Sequence, residues 1–482
     1  MKRVVNAWAR RNRAKRLYAA GVLCAMPAIA LAQTVTTLHS FNGKDGSSPL
    51  AGLVQATNGD FYGTTEGGGG NNNGTVFRMT SGGKLKTVYS FCSQSDCTDG
   101  SYPEAALIQA TDGDFYGTTS AGGTEDGGTV FKITAGGKLT TLYRFCTQSE
   151  CTDGATPIAP LVQGTDGDFY GTTELGGTGS DGTVFKVTPN GTPTTLHSFE
   201  ETDGSYPFAG LILAADGSFY GTTYTGGAYN GGTVFKITPG GAFTSLYSFC
   251  SQSGCADGQY PRGALVQGPD GNLYGTTEEG GAGNDGTVFR IATGGTPTTL
   301  YSFCSQSACA DGKFPFAGLA LGTDGNLYGT TQSSGAHQVG TIFEITTAGA
   351  LTTLYSFCSK SDCTDGANPQ APLVQVTNGD FYGTTLYSAN NDGVVFSLSV
   401  GLGPFVEPQT TSGKVGAAVK ILGTGLTGAT SVTFNGTAAT FTVVSKSLIA
   451  TTVPNGATTG AIEVVTPNGG TLSSNVPFRV LP

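Results

Sequence analysis

Carboxylates and thiols are the residues of this chain that could do chemistry. Glu66, Glu174 and Glu278 each follow a Gly-Thr-Thr triplet, and a pair of carboxylates is what glycoside cleavage requires. They recur with a repeat, however, so no unique acid–base pair stands out. Ten of the eleven cysteines form five C-x4-C pairs: Cys92/Cys97, Cys146/Cys151, Cys250/Cys255, Cys304/Cys309 and Cys358/Cys363. The equivalent segments SFNGKDG at 40–46 and SFEETDG at 198–204 lack both cysteines. Cysteines present or absent together within one loop are expected to bond to each other, as an exported protein allows. Structural zinc needs four ligands, and past residue 32 the histidines are only His39, His197 and His337. His39 and His197 take the Tyr position of a repeated TLYSF, which reads as packing. Asp99, Asp153, Asp203, Asp257, Asp311 and Asp365 each precede Gly and read as turn formers bonding their own backbone. Calcium would need six to eight converging oxygens, and no D-x-D-x-D-G loop occurs. No metal and no cofactor is expected, and no catalytic residue is assigned, since G-x-S-x-G, H-E-x-x-H and Walker loops are absent from the sequence.

Residues that break the repeat are sharper candidates for ligand recognition. The position after a recurring proline reads Leu50, Glu104, Ile158, Phe208, Arg262, Phe316 and Gln370. A fixed proline followed by a varied residue is what a ligand-reading rim would look like, so Glu104, Phe208, Arg262, Phe316 and Gln370 are the binding candidates. Tyr102, Tyr206, Tyr260 and Phe314, just before the proline, could serve as sugar platforms. Arg144 and Glu344 are further departures, replacing Ser and Lys/Arg.

The elements that would carry these residues repeat seven times. FYGTT or LYGTT begins at Phe61, Phe115, Phe169, Phe219, Leu273, Leu327 and Phe381, with spacings of 54, 54, 50, 54, 54 and 54. In the unit 103–145, PEAALIQA, FYGTT, GTVFKIT and LTTLYRF read as four strands, A to D, joined by TDGD, a glycine-rich loop and AGGK. Strands of alternating direction put both tight turns on one face and all long loops on the other, where rigid scaffolds commonly display function. The chain opens on a lone D strand, TVTTLHSF, and its last unit lacks one. The expectation is therefore an all-β, seven-bladed β-propeller over 33–400 closed by the N-terminal strand; an open solenoid is the alternative. Gly117 and its equivalents are expected to let an adjacent blade approach.

Composition agrees. Gly is 77 of 482 residues and charged residues are 12%, against about 7% and 25% in ordinary domains. Residues 1–32 read as a signal peptide, with a basic stretch and an apolar core ending in Ala30-Leu31-Ala32; lipidation at Cys24 and a twin-arginine route through Arg10-Arg11 are weaker readings. Without that segment 17 basic residues face 34 acidic ones, which argues against nucleic acid as a partner. No transmembrane segment is expected after it, and the localisation implied is periplasmic, cell-surface or secreted.

GLGPFVEP marks a linker near 401–404. Runs such as TSVTFNG and AIEVVT over 405–482 suggest a β-sandwich. The units DGDFYGTT…GGTVFKIT…LTTLYSF resemble the GloVer (Gloeo_Verruco) tandem repeat of bacterial exported proteins, which implies export and surface display. SGKVGAAVKILGTGL, TSVTFNGTAATFTVVS and the closing PFRV resemble an IPT/TIG domain, implying an immunoglobulin-like spacer or binding module. The function expected is an exported or cell-surface binding or scaffold protein that contacts glycan or protein through the loop-rich face. The alternative is a polysaccharide lyase or glycoside hydrolase on that face.

Overall fold

The computed structural model describes residues 33–481; the signal segment expected over 1–32 lies outside the described residues. Each FYGTT or LYGTT run is a strand buried along its whole length, as Phe61–Thr65 and Phe115–Thr119 illustrate. Aromatic and Thr residues suit a pleated strand covered on both faces. In the second unit the antiparallel order is Ile108–Gln109, Phe115–Thr119, Thr129–Ile133, Leu139–Arg144. The TDGD turn before the second strand is held by Asp112, whose carboxylate accepts from the Asp114 N–H at 3.0 Å and the Tyr116 hydroxyl at 2.8 Å. Lys132 of the third strand pairs with the same carboxylate at 2.8 Å. Glu344 breaks this pattern by accepting from the Asn326 amide at 2.6 Å instead.

Seven four-stranded antiparallel sheets of this kind span Thr34–Ser399. Six use four consecutive strands. The other takes Val374–Gln375, Phe381–Thr385 and Val394–Ser399 from the last unit and Thr34–Ser40 from the start of the described chain. That added strand pairs antiparallel from Thr34 opposite Ser399 to Ser40 opposite Val394, which satisfies an otherwise bare sheet edge.

Successive sheets pack face to face through one recurring contact. Tyr62 stacks on Phe115 of the next unit at 4.0 Å, Tyr116 on Phe169 at 3.9 Å and Tyr170 on Phe219 at 4.1 Å. Hydrogen bonds follow the same path: Thr64 Oγ1 donates to the Ala105 carbonyl at 2.8 Å, and the Thr57 N–H to Gln109 Oε1 at 2.8 Å. Three contacts of these types also join the last unit to the first. Tyr382 stacks on Phe61 at 4.4 Å, Thr384 Oγ1 donates to the Ala51 carbonyl at 3.2 Å, and the Thr377 N–H donates to Gln55 Oε1 at 3.0 Å.

Three expectations about the repeat need correction. Strand A is only two residues long, because Leu107 leaves the ladder to fill the core, where it is 2% exposed. Gly117 makes room within its own sheet rather than for a neighbour: a Cβ there would stand 2.8 Å from both Leu107 Cδ2 and Phe131 Cζ. The repeated Asp-Gly aspartates do more than close a local turn. Asp99 is fully buried and accepts from the Ser93 and Gln94 N–H groups at 3.0 and 3.2 Å and from the Tyr89 hydroxyl at 2.7 Å. It thereby ties the cystine loop to the outer strand.

Disulfides join Cys92 to Cys97, Cys146 to Cys151, Cys250 to Cys255, Cys304 to Cys309 and Cys358 to Cys363. A further correction concerns the second cysteine of each pair, which the sequence places in a plain loop. Cys97, Cys151, Cys255, Cys309 and Cys363 instead each end a 3-10 turn: Ser95–Cys97, Ser149–Cys151, Ser253–Cys255, Ser307–Cys309 and Ser361–Cys363. All five have φ of 50° or 51°. The physical reason is backbone hydrogen bonding. The Cys151 N–H donates to the Gln148 carbonyl at 3.0 Å, and the Cys151 carbonyl accepts from the Gly154 N–H at 2.8 Å. In four units that carbonyl also reaches the glycine-rich loop between the second and third strands. Cys97, Cys151, Cys255 and Cys309 accept there from the N–H groups of Gly123, Gly177, Gly281 and Gly335 at 2.9–3.0 Å. The second cysteine is therefore a junction between two loops, and its bond does more than close its own.

In the two units without cystines the Tyr is replaced by His, and His39 and His197 contact Asp45 and Asp203 at 3.0 and 2.9 Å. Those histidines therefore do more than pack. Arg144 Nε donates to the Thr98 carbonyl of the preceding cystine loop at 3.1 Å.

Beyond Ser399 two four-stranded sheets enclose a separate apolar core containing Ile421, Val432, Phe434, Ile449, Ile462, Val464 and Phe478. This segment rests on the tight-turn side of the repeats. Ser447 Oγ donates to the Thr57 carbonyl at 3.3 Å, Gln409 Nε2 to the Ala110 carbonyl at 2.7 Å, Lys420 Nζ to the Thr111 carbonyl at 3.1 Å and Asn475 Nδ2 to the Leu321 carbonyl at 3.1 Å; Thr424 and Thr377 hydroxyls meet at 3.0 Å. Among the described residues there is no α-helix, and no helix long and apolar enough to cross a membrane.

Candidate functional site at the loop-face mouth

The chain enters the first strand of each sheet through a strained residue. Ser48, Tyr102, Thr156, Tyr206, Tyr260, Phe314 and Asn368, each preceding the repeated proline, all have φ between 53° and 60°. Proline normally drives its predecessor to extended backbone, and positive φ is unfavourable for aromatic and β-branched side chains. Backbone bonds on both sides fix the geometry. The Tyr260 N–H donates to the Gly231 carbonyl of the preceding unit at 2.8 Å, and its carbonyl accepts from the Glu278 N–H at 2.9 Å. Sustained strain of this kind is commonly found where a surface is shaped for use.

The strained turn aims the post-proline positions at a common centre. Leu50, Glu104, Ile158, Phe208, Arg262, Phe316 and Gln370 all line one cavity with about 770 Å³ of empty space open to solvent. The five residues singled out from the sequence are thus brought together. Tyr102, Tyr206, Tyr260 and Phe314 do not line this cavity; Tyr102 is 40% exposed beside it. The cystines stand apart from it too: none of Cys92, Cys97, Cys146, Cys151, Cys250, Cys255, Cys304, Cys309, Cys358 and Cys363 lines it. Their part is to brace the loops of this face, and they are not among its binding groups.

Arg262 organises the mouth. Its guanidinium carbon lies 4.5 Å from the Phe316 ring and 5.1 Å from the Phe208 ring, a cation between two aromatic faces. Its Nη1 stands 3.9 Å from Glu278 Oε2. Phe208 contacts Tyr224 with 4.9 Å between ring centres, and Tyr224 stacks on Tyr260 at 5.1 Å. Tyr224 occupies the position after Gly-Thr-Thr where three of the other six units carry Glu. Sequence reasoning passed it over, although its departure from the repeat was the signal that could have found it.

Three glutamates couple electrostatically to this arginine, and a fourth, Glu66, couples to Glu104. Burial pushes the Glu104 carboxyl above its usual range, opposed by Ser120 and Arg262. Burial likewise raises Glu278, against Arg262 and Tyr224. Glu66 is raised by burial and by the charge of Glu104. Glu174 is raised by burial and by Glu104, with Arg262 opposing. The Tyr224 hydroxyl is pushed up to about 12 by burial and the Glu278 charge. Among the described residues no cluster of His, Cys, Asp and Glu is arranged to hold a metal ion.

Charge is also distributed unevenly over the described residues. The loops joining second to third strands and fourth to first strands carry 22 acidic and 4 basic residues. The rest of residues 33–481 carries 12 acidic and 13 basic residues.

These features define an all-β tandem-repeat protein of four-stranded antiparallel sheets, with its symmetry-breaking residues gathered at one mouth. The chain belongs to the Gloeobacter/Verrucomicrobia repeat family, whose pattern matches residues 15–215 and 209–444. No curated protein matches it. Among solved structures it is similar to a structural-genomics protein of unknown function from Bacteroides thetaiotaomicron, at 15% identity and a TM-score of 0.43 over 76% of each chain. It is also similar to the extracellular domain of what is named as a hybrid two-component system from B. thetaiotaomicron, at 12% identity and a TM-score of 0.46, covering 89% of this chain and 56% of that one. A protein named as a 6-phosphogluconolactonase from Bacteroides uniformis matches at 18% identity and a TM-score of 0.42, over 63% of this chain and 83% of that one. None of these likenesses bears on activity.

Proposed function

We propose that this is an exported glycan-binding protein. In this reading residues 33–400 form a seven-bladed β-propeller closed by the N-terminal strand, and 405–482 an IPT/TIG-type immunoglobulin-like module beyond a linker at 401–404. The contacts of Tyr382, Thr384 and Thr377 with the first unit support the closure. The five cystines support an oxidising, extracytoplasmic location.

The observation that carries the binding assignment is the convergence of seven non-equivalent side chains on one cavity in an otherwise repetitive protein. Aromatic faces at Phe208 and Phe316 offer stacking surfaces for sugar rings, while Glu104, Arg262 and Gln370 offer hydrogen bonds that fix orientation. The test is a glycan array probed with the purified protein and with Arg262→Ala. The expected outcome is a defined set of bound saccharides that the variant loses; an empty array with well-folded protein overturns the assignment.

A second reading, polysaccharide cleavage, is favoured by the elevated carboxyls of Glu104 and Glu278 beside Arg262 and Tyr224, since a raised carboxyl can act as a general acid. New reducing ends released by the protein, and abolished in Glu104→Gln, would establish it.

A further inference from the structure

We infer that the mouth selects a saccharide bearing free amines over neutral or uronate-bearing ones; this rests on the glycan-binding reading above.

The site already seats a cation. The Arg262 guanidinium fills the space between the Phe208 and Phe316 rings, and its side chain remains 37% exposed. Aromatic faces stabilise a partly desolvated cation through their quadrupoles. An ammonium on a sugar ring shares these quadrupoles but also meets the Arg262 charge, so the surrounding carboxylates must supply the net attraction.

One acceptor behind the site lacks a donor: Glu278 stands beside Arg262 but does not itself line the cavity. Glu278 Oε2 is buried without a hydrogen-bond partner, and Arg262 Nη1 at 3.9 Å is too far to supply one. A buried acceptor left unsatisfied costs on the order of 1–3 kcal/mol. Any sugar hydroxyl can donate there, so the advantage of a primary ammonium at this acceptor is its charge, which strengthens the hydrogen bond to a carboxylate, while a uronate carboxylate opposes it.

The balance of charge points the same way. Glu66, Glu104, Glu174 and Glu278 outnumber the single Arg262, and the charge of Glu104 itself disfavours ionisation of Glu66 and Glu174. An incoming cation relieves that repulsion, and an incoming carboxylate increases it. The loops around the mouth, with 22 acidic and 4 basic residues, extend the field outward. A concave site with one dominant sign attracts counter-charged ligands and raises their association rate.

The test is calorimetric titration of the protein with three hexasaccharides: β-1,4-linked glucosamine, its fully N-acetylated counterpart and an oligogalacturonate. A lysine hexapeptide serves as a charge-matched control. The glucosamine oligomer is expected to bind roughly tenfold more tightly than the acetylated one, more tightly than the peptide, and more weakly as salt rises. Glu174→Gln, an isosteric change at a carboxylate outside the cavity lining, is expected to reduce glucosamine affinity several-fold and to leave the weaker acetylated binding intact, which also reports a folded site. Equal or tighter binding of the acetylated or uronate oligomer overturns this inference while the glycan reading stands. Failure of all three saccharides overturns this inference and leaves the glycan reading to the array, and tighter binding of the peptide transfers the mouth to a basic protein partner.

Discussion

Tyr382 stacks on Phe61 with ring centres 4.4 Å apart, although 321 positions separate them in the sequence. It is the contact that Tyr62 makes with Phe115 and Tyr116 with Phe169, repeated where the last unit meets the first. Removing it by Tyr382→Ala is expected to lower stability by about 3–5 kcal/mol. Deleting Thr34–Ser40 should be worse, since the Val394–Ser399 strand then presents a bare edge. Urea unfolding measures the first effect, and light scattering of the truncated protein should show aggregation. A truncated protein that stays monomeric and equally stable would contradict the proposed closure.

Gly117 tests the packing inside one sheet. A methyl group placed there meets Leu107 and Phe131 at 2.8 Å, so Gly117→Ala is expected to destabilise by about 1–3 kcal/mol through overpacking. Leu107→Ala alone should cost about 2–5 kcal/mol as a cavity, and the pair should cost less than the two single losses added, because one of the two clashes disappears. The combined variant's unfolding midpoint decides this.

The cystine loops should contribute singly and modestly. Replacing Cys92 and Cys97 together by Ser is expected to cost about 2 kcal/mol, the loop-closure value for so short a ring. The neighbouring loops should keep their bonds, as mass shifts after thiol alkylation would show.

Acid sensitivity is expected to run through the same loops. Burial favours the neutral form of Asp99, but hydrogen bonds from Tyr89, Ser93 and Gln94 outweigh it and hold the carboxyl below its usual value; Asp365 behaves alike. A lowered native pKa stabilises the fold above the ordinary carboxylate range and ceases to do so as pH falls through the native value. Asp99→Asn should therefore reduce stability at neutral pH and flatten the acid limb of a stability–pH curve. An unchanged acid limb would exclude Asp99 as a contributor.

At the alkaline end the sign reverses. Tyr89, Tyr143, Tyr247 and Tyr355 are all pushed up to about 12, chiefly by burial. In the unfolded chain these hydroxyls ionise near 10. Stability is accordingly expected to fall as pH rises between those values. Ultraviolet titration of the native protein should show a group of tyrosines resisting ionisation until unfolding releases them.

Much of this was legible from residues alone because the repeat exposes its own grammar. The strand boundaries at Phe115–Thr119 and Thr129–Ile133 coincide with the FYGTT and GTVF marks. The convergence of Glu104, Phe208, Arg262, Phe316 and Gln370 followed from one variable position after a fixed proline. What escaped were effects between distant segments. The seat of Arg262 between two rings depends on phenylalanines 54 residues away on either side. The role of Gly117 depends on Leu107 turning inward, which no period in the sequence announces. The Asp99 network needs the cystine loop to fold back by six residues onto its own closing aspartate. The pairing of Cys146 with Cys151 could be read from their spacing, whereas the bond from the Gly177 N–H to the Cys151 carbonyl could not.

The segment after Ser399 touches turns of the first, second, sixth and last units through Ser447, Gln409, Asn475 and Thr424. Those four units are consecutive where the last adjoins the first, so a body seated there fastens the seam itself: any force that parts Tyr382 from Phe61 must also pull this segment off the turns at Thr57 and Thr377.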